Sequence, residues 1–331
     1  MVKHPKPLVE IVSTGRYLPE RVLTNRDLEE MVETSDEWIR ERTGIRERRI
    51  AREDEGAADM AAEASRIALE RAGVQPGEID ILVLSTATPD RLLPSTACDV
   101  QAIIEADNAV AFDIAGACSG WLYGLSMAEG YLTAGRGEIA LVVTTEKMSA
   151  IVDWEDRATC VLFGDGSAAA VVKKAQGNRG ILSSHHQSDG KLGNLLYRPA
   201  GGAAIPMSED VLRNRDHLVK MSGREVFKAA VRSMTEACDI ALQRAGMTAS
   251  DIDLLVPHQA NIRIIDALAK YAGMPKEKVF VNVDRYGNMS SATVAVALDE
   301  ALEEGRVEPG DVVLLVAFGA GFTWSAVVLR V

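Results

Sequence analysis

A segment of 21 residues that occurs twice constrains the fold of this chain more than any other feature. Residues 63–83 (EASRIALERAGVQPGEIDILV) and 236–256 (EACDIALQRAGMTASDIDLLV) align without a gap, with 12 identities in 21 positions. Unrelated segments do not match so well, so the chain looks internally duplicated. Each copy reads as an amphipathic helix ending at Arg-Ala-Gly, where the glycine suits a helix C-cap, and a short turn then feeds a hydrophobic strand. The parallel continues beyond the copies: a helix, a strand (109–114; 278–283), another helix (118–135; 290–305) and a strand (138–145; 311–317). Both halves then close on a related turn and strand, Phe163-Gly164-Asp165-Gly166 before 167–172 and Phe318-Gly319-Ala320-Gly321 before 322–331.

Strands this apolar along their length must be covered on both faces, which places helices on both sides of each sheet. Two such halves related by a pseudo-twofold axis predict an α/β fold in five layers, α/β/α/β/α. Glycine and proline crowd the stretch 175–220. The halves are therefore expected to divide into 1–175 and 176–331, with 189–215 an irregular insertion at a substrate entrance.

The 331 residues are 47% hydrophobic and carry a net charge of −12. That charge argues against nucleic acid as a general partner, because phosphate binding needs a basic face. No run of about 18 apolar residues marks a membrane span, and residues 1–7 lead into a strand pattern rather than a signal-peptide core, so the expected location is cytoplasmic, away from membranes. Cys98, Cys118, Cys160 and Cys238 have no metal-ligand or disulfide spacing, which predicts no metal site and leaves thiols free to react.

Cys118 stands where a buried-strand pattern (110–114) gives way to a helical one, among small residues that leave it approachable. A helix start offers unpaired N–H groups and a positive dipole end, both favouring a nucleophilic thiolate. The repeat aligns this turn with 284–290 and aligns Ser85 with His258, so only the second copy supplies a base and an amide, His258 and Asn288. All three lie beyond the carboxyl ends of strands, where sites form in α/β sheets. Singly, each has an ordinary structural reading: core cysteine, core histidine, turn asparagine.

Six motifs spread in order along the chain are Thr34-Ser35-Asp36-Glu37-Trp38-Ile39, Arg42-Thr43-Gly44-Ile45, Ala115-Gly116-Ala117-Cys118-Ser119-Gly120, Val256-Pro257-His258-Gln259-Ala260-Asn261, Tyr286-Gly287-Asn288 and Phe318-Gly319-Ala320-Gly321. Together they resemble the β-ketoacyl-acyl carrier protein synthase III family, a thiolase-like fold of two duplicated halves. The resemblance implies a Cys-His-Asn triad at Cys118, His258 and Asn288, with an oxyanion hole from the backbone N–H groups of Cys118 and Ala320. It implies an acyl-coenzyme A primer and malonyl-acyl carrier protein as partners, no cofactor beyond the coenzyme A thioester substrate, and a homodimer. It further implies coenzyme A contacts from Trp38, Arg42, Arg157 and Asn261, an acyl pocket bordered by Leu93 across the dimer, and carrier-protein docking by Gln259, Arg263, Lys228 and Lys270. Against the family pattern, Ala320 replaces a glycine, Met289 a small hydroxyl residue and Trp121 a phenylalanine, substitutions expected to reshape the pocket. Two other readings use the same residues: a same-fold condensing or acyl-transfer enzyme of specialised metabolism, and a Cys-His-Asn thioester hydrolase, which must order the water that a condensing enzyme excludes.

Overall fold

A computed structural model describes residues 6–331; the start of the chain, residues 1–5, on which the signal-peptide expectation rests, lies outside the described residues. β1 (Val9–Tyr17) leads into a hairpin of β2 (Arg21–Thr24) with β3 (Glu47–Ile50), which carries α1 (Asn25–Glu29) and α2 (Asp36–Thr43) in its loop. Then follow α3 (Ala57–Ala72), β4 (Ile81–Ser85), α4 (Thr96–Ile103), β5 (Val110–Ile114), α5 (Gly120–Thr133), β6 (Ile139–Lys147), α6 (Arg157–Cys160) and β7 (Asp165–Lys174). After Lys174 come β8 (Gly180–Ser188), β9 (Leu196–Tyr197), α7 (Glu209–Arg213), β10 (Lys220–Met221), α8 (Gly223–Ala245), β11 (Leu254–Pro257) and α9 (Ile262–Tyr271). The chain ends through α10 (Val283–Tyr286), α11 (Ala292–Glu303), β12 (Val312–Gly319) and β13 (Thr323–Arg330).

The repeated segment folds the same way twice. α3 and α8 both end at a glycine in the left-handed region, Gly73 at φ +61° and Gly246 at φ +65°. Each glycine N–H returns to the helix (Gly73 to Glu70 O, Gly246 to Gln243 O), as does the next residue's (Val74 to Leu69 O, Met247 to Leu242 O). The following strands are anchored alike: Asp80 Oδ2 accepts from Ile139 N and Asp253 Oδ2 from Val312 N.

The sheets match as well. One runs β1-β7-β6-β4-β5, and the other β8-β13-β12-β11 in the equivalent order, with parallel pairing at β4/β5, β4/β6 and β11/β12. The expected strand over 278–283 is the exception. Only an isolated bridge, Leu255 to Val279, stands where β5 stands in the first sheet, and the chain then turns into α10.

Five layers result. α3 and α4 cover the outer face of the first sheet through Ala64, Ala68, Leu82 and Val143. α5 and α11 lie between the sheets, where Trp121, Leu125, Val296 and Leu298 meet Val83, Val142, Val313 and Leu315. α8 and α9 cover the outer face of the second sheet together with α2 and the 148–163 segment. Both sheets are thus apolar on both faces, as their uninterrupted hydrophobic strands require.

Candidate functional site

Cys118 occupies a single 3-10 turn, Ala117–Ser119, between β5 and α5, and Ala117 adopts φ +45° to make it. The thiol is buried, only 8% exposed. Burial pushes its pKa up to about 12; a hydrogen bond with Ser290 pulls it back and the charge of Glu146 adds to the rise. This corrects the expectation of a resting thiolate, since desolvation outweighs the helix end. The group is an S–H donating to Ser290 Oγ at 3.6 Å.

His258 follows β11, its N–H held by Val316 O at 2.7 Å. It is buried, and loss of water pulls its pKa down to about 3, so the ring is neutral at ordinary pH. Its Nδ1 lies 2.5 Å from Thr293 Oγ1, on the first turn of α11.

Asn288 is sewn to the other half of the chain. Its N–H donates to Leu162 O at 2.8 Å, and its carbonyl accepts from Gly164 N at 3.1 Å. The turn before it needs glycine: Gly287 sits at φ +64°, and a Cβ there would approach Leu162 O to 2.8 Å. The side-chain Oδ1 accepts from Ser290 N at 2.8 Å, which leaves Nδ2 as the end available to a ligand.

A carboxylate that sequence reading missed lies behind the three. Glu146, fully buried at the end of β6, accepts from Ser291 N (3.3 Å), Ser291 Oγ (2.6 Å), Ala87 N (3.0 Å) and Thr88 Oγ1 (2.9 Å). Burial raises its pKa, and these donors act against the rise. It ties the ends of β4 and β6 to the start of α11, and so fixes the segment carrying Asn288, Ser290 and Thr293.

Cys118, His258 and Asn288 share one cavity of about 580 Å³. Its walls are apolar, from Leu162, Phe163, Phe227, Met234, Ile264 and Phe318. Arg42, Arg224, Lys228 and Arg263 also line it while remaining exposed, which gives a basic rim. From the 189–215 insertion only Leu196 reaches the wall; Met221 to Met234 contribute much more.

The remaining expected site residues divide. Trp38 carries the guanidinium groups of both Arg42 and Arg157, each 4.8 Å from the ring centroid, so that cluster is preassembled beside the rim. Asn261 lines the cavity but caps α9, accepting from Arg263 N (2.8 Å) and donating Nδ2 to Arg42 O (3.0 Å), a tie between α9 and α2. Gln259 corrects the docking expectation. It is fully buried, donating to Pro257 O and Phe280 O and accepting from the N–H groups of Asn282 and Val283, out of any partner's reach. Lys270 is exposed on α9 but lines no part of the cavity. Leu93 is 86% exposed and stands outside this chain's own cavity. Trp121 and Met289 are buried between the sheets, so neither substitution shapes the cavity wall. Ala320 is not among the residues at positive φ, so its methyl group meets no backbone penalty. Its turn lies beside Cys118, where Gly319 packs against the Cys118 backbone.

The chain is similar to known proteins over nearly its whole length. The family model described as 3-oxoacyl-[acyl-carrier-protein (ACP)] synthase III matches residues 112–190, and that of its C-terminal part matches 242–331. A β-ketoacyl-[acyl-carrier-protein] synthase III of Symbiobacterium thermophilum is 53% identical over 322 residues, covering 97% of this chain and 98% of the relative. One from Caldanaerobacter subterraneus subsp. tengcongensis is 50% identical over 320 residues, covering 97% of each. The crystal structure of 3-oxoacyl-[acyl-carrier-protein] synthase III from Aquifex aeolicus VF5 superposes with a TM-score of 0.91 at 47% identity, covering 98% of this chain and all of that one. With matches of this extent in both halves, the chain belongs to the β-ketoacyl-[acyl-carrier-protein] synthase III family of thiolase-fold condensing enzymes.

Proposed function

We propose that the chain condenses an acyl-coenzyme A primer with malonyl-acyl carrier protein, in the cytoplasm, and thereby begins fatty acid synthesis through an acyl group on Cys118. The observation that carries the site assignment is the convergence of Cys118 from residues 1–175 with His258 and Asn288 from 176–331 in one apolar cavity. We read these as the two halves of one catalytic unit.

In the first half-reaction the Cys118 sulfur bonds to the thioester carbonyl carbon and the bond to coenzyme A breaks, the proton lost by the thiol ending on the departing coenzyme A sulfur. The backbone N–H groups of Cys118 and Ala320 serve the tetrahedral oxyanion. In the second, malonyl-acyl carrier protein loses carbon dioxide, and its thioester oxygen gains the negative charge. His258 Nε2 and Asn288 Nδ2 donate to that oxygen. The enolate carbon then attacks the acyl carbonyl and Cys118 leaves, taking up a proton. No step calls for a metal or a bound cofactor. Apolar walls suit a reaction from which water must be kept, which favours condensation over hydrolysis.

Trp38, Arg42 and Arg157 form a cationic and aromatic cluster fit for a nucleotide, with Asn261 holding α9 against it. Arg263 and Lys228 on the rim suit an acidic carrier protein. For a homodimer, the supporting feature is the edge of β5, where Val110 is 53% exposed, together with the apolar Leu92 and Leu93.

The test separates the half-reactions. Mass spectrometry after acetyl-coenzyme A incubation should find the acyl group on Cys118. Asn288→Ala and His258→Ala should lower malonyl decarboxylation by at least about 10²-fold while slowing acylation much less. An acyl group on another cysteine, or variants that decarboxylate normally yet do not acylate, would overturn the assignment.

A further inference from the structure

His258 is neutral, and a neutral imidazole has one N–H to place. Where it sits decides what the ring can do. With the proton on Nδ1, the cavity side of the ring is a lone pair, and the residue cannot donate to an enolate. With the proton on Nε2, it donates without carrying charge, which a buried apolar site favours.

The group that faces Nδ1 is a hydroxyl. Thr293 is fully buried, its Oγ1 lies 2.5 Å from His258 Nδ1, and the carbonyl of Ser290 lies 3.1 Å from the same oxygen. One hydroxyl proton thus has two acceptors within reach. The side chain stands on the first turn of α11, whose start is held by Glu146 through Ser291, so Thr293 cannot readily swing away.

We propose that Thr293 is a positioning residue whose hydroxyl donates to Nδ1 of His258 and holds the ring as the Nε2–H tautomer. The inference rests on His258 acting as a donor to the enolate, and it adds the reason why that ring is a donor at all. It also separates the duties of the site. An imidazole in this form has no lone pair facing the cavity, so the thiol proton of Cys118 does not pass to it. In the resting site the thiol only donates a hydrogen bond, to Ser290 Oγ.

The ring proton can be located directly. In the full-length protein labelled with 15N-histidine, the resonance of His258, assigned by its loss in His258→Gln, should show a proton on Nε2 and a bare Nδ1 from pH 6 to 8. A proton on Nδ1 would overturn the proposal, whatever the enzyme's activity. Thr293→Val keeps the shape and removes the donor. It should lower malonyl decarboxylation by about 10²-fold, the scale of one lost donor to developing charge, shift the His258 nitrogen resonances, and leave Cys118 acylation within about threefold. Thr293→Ser, which keeps the hydroxyl, should restore both the spectrum and the rate. Equal loss of both half-reactions, or failure of serine to rescue, would mark Thr293 as a packing residue only. If Thr293→Val proves unstable, the spectrum of the unaltered protein and the serine variant still decide the question. Should the tautomer be as expected while His258→Ala decarboxylates normally, the enolate-donor reading fails and the tautomer assignment stands.

Discussion

Gly319 lies directly on the backbone of Cys118: a Cβ at 319 would stand 2.5 Å from the Cys118 nitrogen and 3.0 Å from its Cβ. The last residue of β12 is thus pressed against the turn that presents the nucleophile, and no side chain fits between them. Gly319→Ala should displace that turn, costing about 2 kcal/mol or more of stability and nearly all acylation. Urea unfolding and single-turnover acylation check this, and a stable, active variant would mean that the two segments move apart cheaply.

Glu146→Gln should act in two measurable ways. An amide nitrogen cannot accept from Ala87 N or Thr88 Oγ1, so buried donors lose their partner at a cost of about 2 kcal/mol. The negative charge that opposes ionisation of Cys118 is lost as well, so the thiol pKa falls. Iodoacetamide should then label the Cys118 peptide faster than in the unaltered protein at pH 8. In both proteins the half-exposed Cys98 should be labelled before the buried Cys118.

Acid should weaken the fold through His258. Its folded pKa of about 3 lies below the unfolded value near 6.5. Between these limits the unfolded chain binds a proton and the folded chain does not, so stability falls as pH drops from 6.5 toward 3 and is unaffected above 6.5. His258→Gln lacks this linkage. Between pH 7 and pH 4.5 the variant should gain about 2.5 kcal/mol relative to the unaltered protein, read from urea midpoints of the pair at each pH. An unchanging difference would mean that the ring protonates in the folded state.

Arg263 and Lys270 share α9 but only Arg263 lines the cavity. Arg263→Glu should raise the KM for malonyl-acyl carrier protein severalfold at low salt, with the difference shrinking as salt is added. Lys270→Glu should leave KM unchanged. Comparable effects from both would indicate that net charge, rather than the rim, attracts the carrier protein.

Leu93→Asp should leave the monomer's stability within about 0.5 kcal/mol, as expected for an exposed side chain, yet weaken self-association measured by sedimentation. A monomeric unaltered protein, or an unaffected dimer in the variant, would place Leu93 outside the subunit contact. If the contact forms, Leu93→Phe should shorten the accepted primer.

Much of this was legible before any coordinates. The Arg-Ala-Gly endings announced two equivalent helix caps, and the uninterrupted apolar strands announced layers on both sides of each sheet. The 278–283 segment misled because a hydrogen-bond partner came from a side chain. Gln259 takes Phe280 O and the N–H groups of Asn282 and Val283, positions a neighbouring strand would otherwise pair, and the chain is free to turn into α10. Cys118, His258 and Asn288, which line one cavity, stand out in the sequence because the two copies differ there. Ser290 and Thr293 were not, since hydroxyl residues at a helix start look like caps. Glu146 was not legible either, because a carboxylate just past the apolar strand 138–145 gives no local sign that it will be buried. The state of the thiol was unreadable for a further reason: it depends on desolvation by both halves, and no local pattern encodes that.

The edge of β11 is sealed by residues 279–283, whereas the corresponding edge of β5 has no such cover among the described residues. That difference sets a valency. If both copies of the fold had kept a free edge, each molecule would present two sticky ends, and strand pairing could run on from one molecule to the next as an open fibre. With the β11 edge closed by the protein's own chain, the β5 edge is the one of these two left open, and a pair that met there would use it once in each molecule.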